Sequence, residues 1–380
     1  MKVFQLHNKY KFFGGEDSVV DEEAKLLRLN NHEVVQLIRD NSIELSSLKN
    51  KFYALKNVSY SKDSIKILDA EILKHGIPDI VHVHNIFPLW SNSVFDFFHK
   101  KNIPIIMTLH NYRLIWEKLG LFNKHRDKYG FFKDSKIKSF IISKLINKRS
   151  DLLTTITKFI TLTEFAKQEF SQYIIPQDKL IIKPNFLSSS DNKIKSIVKK
   201  KNAIYASRIS KEKGVLTLIE AFNELDIELD IKLNILGDGP LLKVIKKNNT
   251  NYNIRLHGNL SRYEVSKFLN NSKFSIIPSE SYEGFPMSIL EAFREGTLVL
   301  ASDIGTIKCI IKDKFNGILF EYGNKKDLAN KIKWILANPD ICDQITLNAN
   351  NEFKKKYSAG VNYAQLIKIY NNAIYENKKS

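Results

Sequence analysis

Short apolar runs alternate with longer amphipathic stretches along almost the whole chain, and this alternation restricts the possible folds more than any other feature. Residues 2–6, 80–83, 103–109 and 159–163 read as buried strands with helical spacing between them. The same pattern restarts at residues 203–206, 232–237, 254–257, 274–277 and 298–301. Alternation of this kind gives parallel sheets with helices on both faces. Between the two series lies a Ser-Ser-Ser-Asp-Asn run at residues 188–192, followed by lysine-rich sequence to Lys201.

At 380 residues the chain is too long for one packed core. The expected α/β architecture is two Rossmann-like doubly wound domains, residues 1–187 and 202–357, joined by a linker at 188–201 and facing across a cleft. Residues 358–380 read as a C-terminal helix that packs back on the first domain. Ligands of such sheets bind beyond the carboxyl ends of the strands, so the loops that follow the strands are where chemistry is expected.

Lys and Arg exceed Asp and Glu by 59 − 41 = 18, a balance that favours polyanions, anionic membrane surfaces or phosphorylated substrates. Lys and Asn recur throughout, so a biased genomic composition accounts for part of this charge equally well. Two cysteines, Cys309 and Cys342, are too few for a disulfide framework or a zinc site. No apolar run reaches the ~18 residues needed to span a bilayer, and residues 1–6 lack a signal-like core. The expectation is a cytoplasmic protein whose membrane contact, if present, is peripheral at the inner face.

Residues 278–292 are the most informative segment, reading strand, loop, helix. Pro286 suits the first helical position, where its missing N–H is no loss, which leaves the amides of Met287 and Ser288 to meet an anion at the positive helix end. Glu291 lies four residues beyond Met287 on the same face, about 6 Å along the axis. A carboxylate there can accept from two vicinal hydroxyls. Glu283 stays on the preceding loop with Phe285 as a possible lining residue. A helix cap with a solvated glutamate would produce similar residues.

The Glu283-x7-Glu291 spacing, set in Glu-Gly-Phe-Pro and Glu-Ala and closed by Gly296, resembles the signature of the family-four glycosyltransferases, retaining enzymes of the GT-B fold. Ser207-Arg208-Ile209-Ser210-Lys211-Glu212-Lys213-Gly214 is similar to the family's Gly-Arg-Leu…Lys-Gly motif, with Ser207 where Gly is usual. Gly237-Asp238-Gly239-Pro240 also matches, but a tight turn explains it. His257-Gly258-Asn259-Leu260 resembles the loop that reads the nucleobase. In the first half Gly14-Gly15-Glu16, the strand end that carries His84, and Thr108-Leu109-His110-Asn111-Tyr112-Arg113 resemble the family as well, in the right order along the chain.

What the resemblance implies is transfer of a sugar from a nucleotide-diphosphate donor, UDP-sugar before GDP-sugar, with the anomeric configuration retained. Glu283 and His110 would hold the sugar as catalytic residues. Arg208, Lys213, Met287, Ser288 and Gly15 would meet the diphosphate, Glu291 the ribose, and Asn259 with Leu260 the base. His84 and Gly14 are possible lining residues. No Asp-x-Asp and no His/Cys cluster with ligand spacing occurs, so no metal and no cofactor beyond the nucleotide-sugar co-substrate is expected. A dinucleotide fingerprint is absent as well.

The segment around His110, Asn111 and Arg113 looks like transferases of bacterial capsule or O-antigen assembly, which would make the acceptor a lipid-linked saccharide. Residues 124–149, from Lys124 to Arg149, carry nine Lys or Arg interleaved with Phe and Ile. They read either as a basic amphipathic membrane patch or as an ordinary helix with a solvated face. Two rivals share parts of this pattern: a GT-B nucleotide-sugar epimerase, which needs no acceptor, and a non-catalytic basic protein that binds membrane or nucleic acid. Nucleic acid is not the expected partner, because the glutamate pair and the cations are intact.

Overall fold

Two six-stranded sheets carry the fold. The computed structural model describes residues 1–9, 14–44, 47–57, 60–115, 152–188 and 202–379. The chain divides into two units, Met1–Phe186 with Ala359–Ser380, and Leu187–Ser358. The expected linker lies outside the described residues apart from Ser188, as does the whole basic stretch at 124–149. Among the described residues no helix is long and apolar enough to cross a membrane.

The first unit contains β1 (Lys2–Lys9), β2 (Glu33–Asp40), β3 (Ile80–Val83), β4 (Ile105–Leu109), β5 (Lys158–Thr161) and β6 (Leu180–Ile182). Their order is β2-β1-β3-β4-β5-β6 with every pairing parallel. All residues of β3 and β4 are buried, as interior strands covered on both faces must be. The C-terminal helix Ala359–Lys379 belongs to this unit: Leu366, Ile369, Tyr370 and Ala373 share one core with Val3, Ala24, Ile80 and Ile106.

The second unit contains β7 (Asn202–Ala206), β8 (Lys232–Leu236), β9 (Ile254–Gly258), β10 (Phe274–Ile277), β11 (Leu298–Ser302) and β12 (Ile318–Phe320). Read from β9, the order is β9-β8-β7-β10-β11-β12, again parallel throughout. The strand order reverses between β7 and β10, so the loops after these two strands flank the crevice where such sheets bind ligands. In the first unit the equivalent reversal lies between β1 and β3.

Three strands were not legible as apolar runs: β2, β6 and β12. All three are edge strands. An edge strand buries less, and β2 mixes polar with apolar residues, reading Glu-Val-Val-Gln-Leu-Ile-Arg-Asp, while β6 and β12 are apolar but only three residues long, too short to stand out as runs.

Candidate active site

In the second unit the loops after β7 and β10 are fastened to each other by backbone. Gly214 has φ +69°, and a Cβ there would sit 1.7 Å from the Pro278 carbonyl oxygen, so only glycine permits this approach. Glu280 N donates to Glu212 O at 2.9 Å, and Thr217 Oγ1 donates to Glu280 Oε1 at 2.6 Å. This junction delivers Lys213, in the turn Lys211–Lys213, onto Glu283: Nζ lies 2.7 Å from Oε2. Ser279 Oγ donates to the other carboxylate oxygen.

The glycines of Gly237-Asp238-Gly239 serve a second close approach. A Cβ at Gly237 would lie 2.1 Å from Ser207 O, and one at Gly239 2.3 Å from Ile209 O. Ile209 N donates to Asp238 O at 2.9 Å, which sets the course of the loop that carries Arg208. Arg208 itself is exposed, and its carbonyl accepts from Tyr205 OH at 2.8 Å.

The helix Met287–Glu295 starts one residue later than expected. Pro286 is its N-cap with extended backbone, φ −76° and ψ 98°, rather than its first residue. The correction leaves Met287 and Ser288 in the first turn, where amides have no intrahelical partner. Both are half-buried, as is Glu291 one turn on. Burial raises the Glu291 carboxyl above its ordinary value, against the pull of Arg294 and Arg262. Phe285 is buried, and its ring packs 6.1 Å from that of Tyr357.

After β9, Asn259 is exposed and Leu260 half-buried. His257 is held by Asn234, Nε2 to Oδ1 at 2.8 Å, and its ring lies 4.7 Å from Phe268. Those contacts give it a packing role at the strand end.

In the first unit Gly14 caps the helix Gly15–Leu29, and its amide donates to Asp17 Oδ2 at 2.8 Å. The other oxygen of Asp17 meets His7 Nε2 at 2.8 Å. Behind this turn lies a buried polar cluster that local spacing did not reveal. Glu23 Oε2 accepts from Lys183 Nζ at 3.1 Å, and Glu23 Oε1 lies 3.0 Å from His82 Nδ1. His82 also meets Tyr370 OH and Thr108 Oγ1, each at 2.7 Å. His84 Nδ1 meets His110 Nε2 at 3.0 Å.

Burial would raise Glu23, but the Lys183 ammonium and then His82 hold its carboxyl well below the usual range. Burial, reinforced by His82, drives His84 down to about 3. Burial, with His84 and His7 nearby, likewise pushes His110 well below the ordinary histidine value. Both rings are therefore neutral near pH 7. His110 is half-buried and lines a pocket with His84, Asn85, Phe87, Asn111 and Arg113.

Ligand-type atoms of Glu23, His82 and His84 lie within 4.8 Å of one another, a convergence that linear spacing hid. Their donor set does not suit a metal well. The Lys183 ammonium already supplies the positive charge a cation would bring, and both His82 nitrogens have partners at 2.7 Å. The cluster reads as a buried hydrogen-bond and ion-pair network.

Residues 188–352 match the family described as "Glycosyl transferases group 1", and residues 13–190 match "Glycosyltransferase Family 4". The chain belongs to these glycosyltransferases and has the GT-B architecture of two Rossmann-like domains. It is 28% identical over 374 residues to an uncharacterised glycosyltransferase of Methanocaldococcus jannaschii, covering 94% of each chain. It is 28% identical over 329 residues to the alpha-monoglucosyldiacylglycerol synthase of Streptococcus pneumoniae, covering 82% of this chain and 70% of that protein. In fold it is similar to the Anabaena protein HepE, solved in complex with UDP, with TM-score 0.69 and 15% identity over 98% of this chain and 100% of that one.

Proposed function

We propose that this glycosyltransferase moves a sugar from a nucleotide-diphosphate donor to a hydroxyl of a lipid-linked glycan, with retention of anomeric configuration and without a metal ion. The observation that carries the donor reading is local to the second unit. Lys213 meets Glu283 between the loops that flank the sheet's reversal point, and the helix that follows the second loop carries Met287 and Ser288 in its first turn and Glu291 one turn further along. A diphosphate would engage Lys213, Arg208 and the first-turn amides, and Glu291 would accept from the ribose hydroxyls. Glu283 and, from the first unit, His110 are assigned to the donor sugar, and Asn259 and Leu260 to the base.

The step breaks the bond between the anomeric carbon and the diphosphate and forms one from the acceptor oxygen on the same face. The departing diphosphate takes the acceptor proton, and the cations stabilise its growing charge. UDP is favoured over GDP because the similar Anabaena fold holds UDP. A lipid-linked acceptor draws support from the diacylglycerol-glucosylating relative and from the capsule-like segment around His110. The excess of 18 positive charges suits peripheral contact with an anionic inner leaflet.

Thermal stabilisation of the purified protein by UDP, GDP, ADP, CMP and dTDP tests the reading. A ligand at 100 times its dissociation constant adds about 2.7 kcal/mol. One selective diphosphate is expected, with its effect lost in Glu291→Ala. Equal response of wild type and variant would remove Glu291 from the donor site.

A further inference from the structure

Arginine can only donate, and in the first unit this gives direction to a chain of hydrogen bonds that ends on His110. Arg28, in the last turn of the helix Gly15–Leu29, donates from Nη1 to Gln36 Oε1 at 3.2 Å. The Gln36 amide nitrogen is thereby turned towards Gln5, whose Oε1 it meets at 3.0 Å. The two glutamines stand level in the pairing of β1 with β2. With its oxygen engaged, buried Gln5 presents Nε2 to His84 Nε2 at 3.2 Å. That ring nitrogen then accepts, so neutral His84 keeps its proton on Nδ1 and donates to His110 Nε2 at 3.0 Å. His110, accepting on Nε2 and also neutral, carries its own proton on Nδ1.

One group competes for His84. Glu23 Oε1 lies 3.5 Å from His84 Nε2, and a proton drawn to that side would reverse both rings. The same oxygen is nearer to His82 Nδ1, at 3.0 Å, and the Gln5 contact is the shorter of the two at His84.

We propose that Gln36 and Gln5 are positioning residues that act through His84 to present His110 as an Nδ1–H donor in its pocket. The inference rests on the assignment of His110 to the donor sugar, where an Nδ1–H can donate to any sugar oxygen, including one that gains charge as the bond breaks, whereas a lone pair can only accept from a hydroxyl.

Gln36→Glu tests it at a distance from the pocket. A carboxylate at this half-buried position accepts from Arg28 and from the Gln5 amide, so Gln5 turns over and offers its oxygen to His84. His84 then carries its proton on Nε2, and His110 donates from Nε2, leaving a lone pair on Nδ1. Gln5→Met removes the amide donor altogether and leaves Glu23 as the competing acceptor. The same inversion is expected, and this variant keeps the test open if the first does not fold.

The readout is the two-bond proton–nitrogen correlation of the ring protons in full-length protein labelled with 15N-histidine. The wild type should show His110 protonated on Nδ1, and each variant should show it on Nε2. Release of nucleoside diphosphate from a sugar donor built on the nucleotide that the stabilisation screen selects should fall about 10²-fold in kcat in the variants, with KM changed far less. Protonation of wild-type His110 on Nε2, or an unchanged tautomer in both variants, would overturn the chain. An inverted tautomer with unchanged kcat would overturn its part in positioning. Failure of every nucleoside diphosphate to bind would instead sink the donor reading, and the tautomer measurement would still decide the direction of the chain.

Discussion

Lys213 Nζ sits 2.7 Å from Glu283 Oε2, so the cation assigned to the diphosphate is engaged by the carboxylate assigned to the sugar. An incoming diphosphate must share or displace this pair. Glu283→Gln frees the ammonium and removes a negative charge from beside the phosphate position. Calorimetric titration should therefore show tighter binding of the nucleoside diphosphate in Glu283→Gln together with a large fall in kcat. Lys213→Ala should weaken binding about ten- to a hundredfold, the range of one charge-assisted hydrogen bond. Weaker nucleotide binding in Glu283→Gln would place that carboxylate on the nucleotide rather than on the sugar.

The Gly214 junction makes a prediction about stability. Gly214→Ala forces a Cβ to within 1.7 Å of the Pro278 carbonyl, and the two site loops must part. Gly323 has a similar φ of +73° but nothing within 4 Å of the added carbon, so Gly323→Ala bears only the left-handed backbone cost of about 1 kcal/mol. Urea titration should place Gly214→Ala well beyond that, by more than about 2 kcal/mol, with loss of nucleotide binding. Equal costs for the two variants would mean that the close approach is readily relieved.

Interior strands and the loops after them were legible in the sequence because burial on both faces writes continuous apolar runs, as in β10 and β11. The Lys213 and Glu283 segments stood out because the residues around them resemble family motifs; a cation or a carboxylate after a strand would by itself be ordinary solvated charge. The direct pairing of Lys213 with Glu283 was not legible, since it depends on a backbone contact between loops 70 residues apart in sequence. The cluster around Glu23 was missed for a different reason. Val19, Val20, Glu23, Ala24 and Leu27 are all buried on one helix. A carboxylate in the middle of such an apolar stripe was the available signal. Its partner Lys183, and Tyr370 which meets His82 beside it, come from distant chain positions that no local spacing connects.

Histidines kept neutral by burial make the first unit sensitive to acid. His84 falls from an ordinary 6.5 to about 3, so between those values the unfolded chain binds a proton that the folded chain does not. Its contribution is fully present above pH 6.5 and is lost as pH falls through that window. One such proton amounts to about 2 kcal/mol between pH 6.5 and pH 5. Glu23, held below its ordinary 4.5, adds a further loss at lower pH. The urea midpoint for unfolding of the first unit should drop over this range, and His84→Gln should flatten the slope by about one proton. A slope unchanged by the substitution would show that other groups carry the acid sensitivity.

Lys183 and Glu23 are 2% and 1% exposed with their charges 3.1 Å apart. Two ions taken so fully out of water each depend on the other to replace the solvation they have lost. Lys183→Met leaves the Glu23 carboxylate buried without its ammonium and should cost about 3–5 kcal/mol. Glu23→Gln alone strands the ammonium and should cost a comparable amount. The double variant removes both charges, so most of the loss should return, and a double-mutant cycle measures the difference. Additive losses would mean that His82 and His84, rather than Lys183, set the energy of the Glu23 carboxylate.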